Sequence, residues 1–135
     1  MADDSKCEWG FEARDYYLYC WLRGTFTSEE QMLRYQRAIE AEMKPEQFRR
    51  RIMIDNREAD PAPEHLRAAM WTWLSVTKSI RRMALVANSA KITRRTDRTA
   101  DRNRLTIRGF NTIEEAEAWL VPPDRETSSG EREKT

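Results

Sequence analysis

The sequence predicts an α/β protein: a mixed four- to five-stranded sheet with helices mainly on one face. Three observations carry this prediction. Arg51–Arg57 is an apolar run, Ile52-Met53-Ile54, closed by Asp55-Asn56-Arg57. Pro61 and Pro63 then punctuate the chain and an amphipathic segment begins. A second apolar run, Met83-Ala84-Leu85-Val86-Ala87, follows. Two short apolar runs separated by one helix-length segment form a β-α-β unit, whose strands pair in parallel through a right-handed crossover.

The remaining elements follow in order. Residues 1–5 are polar and expected to be disordered, and Lys6–Glu12 reads as an edge strand holding Trp9 and Phe11. Tyr16–Leu22 is a stronger strand, with Tyr16, Leu18, Cys20 and Leu22 on one face and Tyr17, Tyr19 and Trp21 on the other. A strand apolar on both faces is expected to be central and covered twice. After Gly24, Thr27 and Glu30 fit a capping box, and Met32, Tyr35, Gln36, Ile39 and Met43 recur at helical spacing until Pro45. Beyond Asp55, Pro63 falls near the first turn of a helix whose inward stripe is Leu66, Ala69, Met70, Trp73, Leu74 and Thr77. Arg82–Asn88 is the next strand, and residues 90–103 read as a surface helix or as part helix, part loop. Leu105–Arg108 alternates like a half-exposed strand. Thr112 and Glu115 form a capping box for a last helix packed by Ile113, Ala116, Trp119 and Leu120, with Pro122-Pro123 beyond it. The expected organisation is one domain over residues 6–121 and a disordered polar tail over 122–135.

Composition narrows the class. The chain has 135 residues, 39% apolar and 35% charged, which suits one globular domain with its own core. Its 24 basic and 23 acidic residues nearly cancel, so total charge points to no nucleic-acid or membrane partner. The opening residues lack an apolar signal region and no stretch is apolar enough to span a membrane, so a cytoplasmic location is expected. Cys7 and Cys20 can face each other if residues 7–12 and 15–20 form a hairpin turning at Ala13-Arg14; otherwise they are two half-buried thiols, the usual state in a reducing compartment.

Three groups of residues are candidate sites. Asp55, Asn56 and Arg57 end a strand of an open α/β sheet, where ligands bind. There Asp55 can accept loop N–H groups and Arg57 can hold an anion or a partner's carboxylate, or the same residues can simply tie down the loop. Tyr17, Tyr19 and Trp21 form an aromatic row that is either a partner or homodimer surface or is covered by the chain's own elements. Lys91, Arg94, Arg95, Arg98 and Arg102, with Arg104 and Arg108, form a basic stretch offset only by Asp97 and Asp101. It can track phosphates or an anionic surface, or be a solvated face whose charges pair internally. No aromatic residue interleaves with it, so it offers no stacking platform for single strands, and nucleic acid is disfavoured. His65 is the single histidine, in a helical first turn, and no nucleophile is placed beside it by spacing. No metal-ligand spacing occurs and no cofactor is implied.

Four segments in order resemble one family: Gly24-Thr25-Phe26-Thr27, Ile52-Met53-Ile54-Asp55, Arg82-Met83-Ala84-Leu85-Val86, and Phe110–Leu120. Over Tyr16–Leu120 the chain resembles the bacterial SpoIIAA-like proteins, relatives of the STAS domains of anti-sigma-factor antagonists. The resemblance implies a mixed sheet with helices mainly on one side and a regulatory binding module rather than an enzyme. It also implies a phosphorylatable Ser or Thr at the start of the helix after the Asp-ended strand. Here that stretch, Asn56–Leu66, contains neither residue. The expectation is therefore a cytoplasmic module that works through protein contacts, with itself or another protein, without that switch. The alternatives are nucleic-acid or anionic-surface binding through the basic segment 91–108 and small-ligand binding at the Asp55/Arg57 end of the sheet.

Overall fold

The computed structural model describes residues 7–44 and 48–121. The elements are β1 (Glu8–Ala13), β2 (Leu18–Gly24), α1 (Glu29–Glu42), β3 (Arg51–Ala59), α2 (Glu64–Val76), β4 (Arg82–Val86), α3 (Ala90–Arg102), β5 (Ile107–Phe110) and α4 (Ile113–Leu120). They build one five-stranded sheet in the order β1-β2-β3-β4-β5. β1 pairs antiparallel with β2, and β2 to β5 are mutually parallel. Ile52 lies opposite Met83 and Asp55 opposite Val86, so the two apolar runs of the β-α-β unit do pair in parallel. The expected disordered ends and the Pro45 helix stop lie outside the described residues.

Each step from β2 to β5 moves to the next strand in the same direction. With crossovers of one hand, that places α1, α2 and α3 on one face of the sheet. The core there joins Leu18, Cys20, Leu22, Ile52 and Ile54 to Met32, Tyr35 and Ile39 of α1. α4 follows the last strand and covers the other face, where Ala116 and Leu120 close over Tyr17, Met53, Ala84 and Val86. Helices thus run along the whole of one side of the sheet and along only part of the other.

Local chemistry explains the boundaries. Ser28, not Thr27, is the N-cap of α1; its Oγ accepts from the Gln31 N–H at 3.2 Å, and Gln31 Oε1 accepts from the Thr27 N–H at 2.7 Å. The capping box is therefore Ser28/Gln31, one residue later than the spacing Thr27/Glu30 suggests. α4 is capped as expected, Thr112 Oγ1 accepting from the Glu115 N–H at 3.1 Å.

α3 is a complete helix rather than part loop. Its inward residues are Thr93, Thr96 and Ala100, which apolar periodicity does not register. Small side chains let it lie close on β5: a Cβ on Gly109 would meet Thr93 Cα at 2.8 Å. Asp97 Oδ1 also accepts the Gly109 N–H at 2.8 Å. β2 starts at Leu18 and β5 at Ile107, each about two residues later than expected. The hairpin register sets Cys20 opposite Phe11, so Cys7 and Cys20 are not cross-strand partners; both are buried thiols with no disulfide between them.

α2 departs most from its predicted role. It is an apolar helix, yet Leu66 is its one fully buried residue. Ala69, Met70, Trp73 and Leu74 are only half-buried, as is Leu85 on β4 beneath, and Val76 is 68% exposed. Side-chain hydrogen bonds tie α2 to α1: Trp73 Nε1 donates to Glu40 Oε2 at 2.9 Å, and Gln36 Nε2 to Met70 Sδ at 3.5 Å. The predicted stripe does face inward, but the helix stands off the sheet.

Candidate functional site

The uncovered part of the second sheet face gathers two of the three sequence-predicted groups. β3 runs on to Ala59, so Asp55 lies inside a strand rather than at its end, opposite Trp21. One extra β3 residue then separates Asp55 from Glu58, whose partners Trp21 and Arg23 are only two apart. Such a bulge re-aims side chains and locally increases twist. Here it brings Arg57 back onto its own neighbour: Arg57 Nε donates to Asp55 Oδ1 at 2.9 Å and Nη2 to Oδ2 at 2.8 Å. The Arg57 backbone N–H donates to Oδ1 at 3.2 Å, and Tyr19 Oη donates to Oδ2 at 2.6 Å. The carboxylate thus accepts four hydrogen bonds while only 7% exposed.

Burial by itself pushes the Asp55 carboxyl up, but the hydrogen bonds from Arg57 and Tyr19 outweigh it and hold the group below its ordinary value. Burial, with the adjacent anion, pushes the Tyr19 hydroxyl up to about 12. Both groups keep their charge states across neutral pH, with every Asp55 lone pair engaged. A carboxylate held this way is a poor general base, but it is a rigid scaffold for the side chains around it.

Those side chains continue the pattern. The Arg14 guanidinium lies 4.7 Å from the Tyr19 ring centre and donates to Glu12 at 3.0 Å. Arg23 stacks at 4.7 Å on Trp21 and donates to Glu58 at 2.8 Å. Gly10 lies under the Trp21 ring, where a Cβ would come within 2.6 Å of it. Tyr19, Trp21, Arg23, Asp55, Arg57 and Glu58 border a shallow depression of about 400 Å³.

Tyr17 does not belong to this surface. It is 1% exposed under α4, its hydroxyl donating to Glu117 at 2.9 Å, so the aromatic row is split between core and open face. α4 follows β5 and lies over β3 to β5, reaching Tyr17 but not Trp21. Asn56 is also separated from its neighbours; it lines the opposite, helix-covered face. The strand order never reverses, so the sheet has no topological switch point and none of the crevice that a reversal creates.

The basic stretch is an exposed helix face: Lys91, Arg94, Arg95, Arg98 and Arg102 are all exposed. Asp97 is spent on Gly109, and among the described residues no carboxylate lies within salt-bridge reach of these five cations. The topology also assembles a basic group that spacing missed. Arg50 and Arg81 precede β3 and β4, and Arg104 precedes β5, while Lys78 follows α2 and Arg102 ends α3. Parallel pairing brings all five to one end of the sheet. Arg81 N–H donates to the Arg50 carbonyl at 2.7 Å, and Arg50 Nη1 to the Lys78 carbonyl at 3.3 Å. His65 is exposed, and no cluster of three or more potential metal ligands occurs among the described residues.

A sequential mixed sheet with three helices on one face and a fourth on the other is a SpoIIAA-like fold. The structure matches that of an uncharacterised protein of the DUF3478 family, with a SpoIIAA-like fold, from Shewanella loihica PV-4. The TM-score is 0.62 at 22% identity, over 85% of this chain and 94% of that one. No family model matches the chain, and no curated protein does. No helix among the described residues is long and apolar enough to cross a membrane.

Proposed function

We propose that this protein is a non-enzymatic regulatory or binding module that acts through protein contacts made by the open half of its second sheet face. The supporting observation is the rigid array of Tyr19, Trp21, Arg23 and Arg57 around Asp55. Aromatic and arginine side chains dominate interface energetics, and here their geometry is fixed by ion pairs and stacking before any partner arrives. The patch carries both signs of charge, with Arg14, Arg23 and Arg57 beside Glu8, Glu12 and Glu58. A two-fold interface needs such a self-complementary surface, so a second copy of the chain is the first partner to test. The absence of Ser and Thr from Asn56–Leu66 makes this a module without the phospho-switch at that position.

Size-exclusion chromatography with light scattering at high micromolar concentration tests the pairing. A dimer that Trp21→Ala and Arg57→Ala each convert to monomer supports it, and a strict monomer removes it. A second reading rests on the basic end of the sheet: binding of a polyanion, with nucleic acid as the test case. Its signature is binding to random-sequence DNA or RNA that falls steeply with salt, and no binding at low salt ends it.

A further inference from the structure

The face beneath α2 holds a feature the contact reading does not use. α2 stands off the sheet over a cleft of about 640 Å³, a volume inside the range of about 300–1,000 Å³ typical of small-molecule sites. Its floor includes Ile54, Met83, Leu85 and Ile107 of three adjacent strands, and Met70 and Trp73 of α2 form its roof. Leu85 occupies a central strand and yet is only half-buried, because α2 does not close over it. An apolar helix over an apolar strand, with both left partly wet, is surface a ligand can cover.

The walls are not apolar throughout. α3 turns Arg95, Thr96, Thr99 and Arg102 toward the cleft. Arg95 and Arg102 are two turns apart, so they share one side of the helix. Both are exposed, and neither meets a carboxylate among the described residues. Asn56 adds a buried polar group to the lining: its Oδ1 has no hydrogen-bond partner among the described residues. Acidic groups enter the lining as Asp60 and Glu64, where β3 hands over to α2, and they keep an anionic head off that side. The cleft is thus an apolar slot with one cationic wall.

We propose that the cleft binds an amphipathic anion, a long-chain carboxylate, with its chain between α2 and β4 and its head group on Arg95 and Arg102. Each arginine offers charge-assisted, bidentate hydrogen bonds of the kind that select carboxylates.

The test is isothermal titration of the full chain with dodecanoate and, separately, dodecanol, both below their aggregation concentrations. Saturable dodecanoate binding is expected, with dodecanol weaker by about tenfold or more, since hydrogen bonds to charged groups are the strong ones. Arg95→Gln with Arg102→Gln should erase that preference while leaving dodecanol binding unchanged. Leu85→Trp, which fills the floor, should abolish binding of both. The arginine pair is exposed and its replacement leaves the core intact, so the test stands even where Leu85→Trp fails to fold. Absence of dodecanoate binding, equal binding of the two probes, or binding indifferent to the arginines overturns the proposal. None of these outcomes depends on Trp21 or Arg57, so the proposal and the contact reading fail separately.

Discussion

Replacing Asp55 with Asn probes the keystone of the open sheet face. The substitution keeps the size and one oxygen acceptor but removes the charge that four donors converge on. Hydrogen bonds to a buried charged group contribute about 1.5–3 kcal/mol. The Arg57 side chain is 45% exposed, so its share is reduced by solvent screening and most of the loss falls on the Tyr19 contact. A destabilisation of about 2 kcal/mol follows at pH 7. With a urea slope of about 1.5 kcal/mol/M, the unfolding midpoint drops by roughly 1.3 M. The pH dependence gives the sharper test. Asp55 titrates below its unfolded value in the folded chain, so its contribution is complete above about pH 4 and fades as pH falls through the folded value. The gap between wild type and Asp55→Asn should therefore narrow progressively as pH falls below about 4. Glu58→Gln on the same face is the control: its carboxylate is 71% exposed, and its loss should cost less than about 1 kcal/mol. An Asp55→Asn midpoint equal to wild type at pH 7, or a gap that persists undiminished into acid, refutes the reasoning.

Further outcomes are specific to other elements. Leu120 is 0% exposed and anchors α4, so Leu120→Ala should cost about 3–4 kcal/mol in chemical denaturation. Trp119 reads in the sequence as a core residue whose truncation costs about 3–5 kcal/mol; it is in fact half-buried, with Arg82 stacked 4.5 Å from its ring centre, and about 2 kcal/mol is expected. Gly109→Ala drives a Cβ into the backbone of α3 and should lower stability by about 1–3 kcal/mol, read as a fall in thermal midpoint. Burial pushes the Cys20 thiol up to about 12, so iodoacetamide at pH 8 should leave Cys20 unmodified in the native protein and label it only after unfolding, as mass spectrometry will show.

Apolar periodicity carries most of the fold. It predicts the element order, the parallel β3–β4 pair and the inward stripe of α1, because these features rest on local spacing and apolar faces, while the cap of α4 is read from Thr112 and Glu115 themselves. It fails at α3, whose buried face is Thr93, Thr96 and Ala100 against Gly109. There, close approach rather than hydrophobicity seats the helix. It also misplaces the end of β3, since a bulge has no periodic signature.

The candidate site was half legible. Asp55, Arg57, Tyr19 and Trp21 stood out by residue type, but their meeting depends on strand register, and Tyr17 left the group because α4 folds back over it. The basic end of the sheet comes from positions as far apart as Arg50 and Arg104, gathered only when parallel strands align their starts. The cleft under α2 depends on a separation between a helix and a sheet. Spacing along a chain says which side of a helix turns inward, but how closely that side approaches its floor is set by side chains from several strands at once.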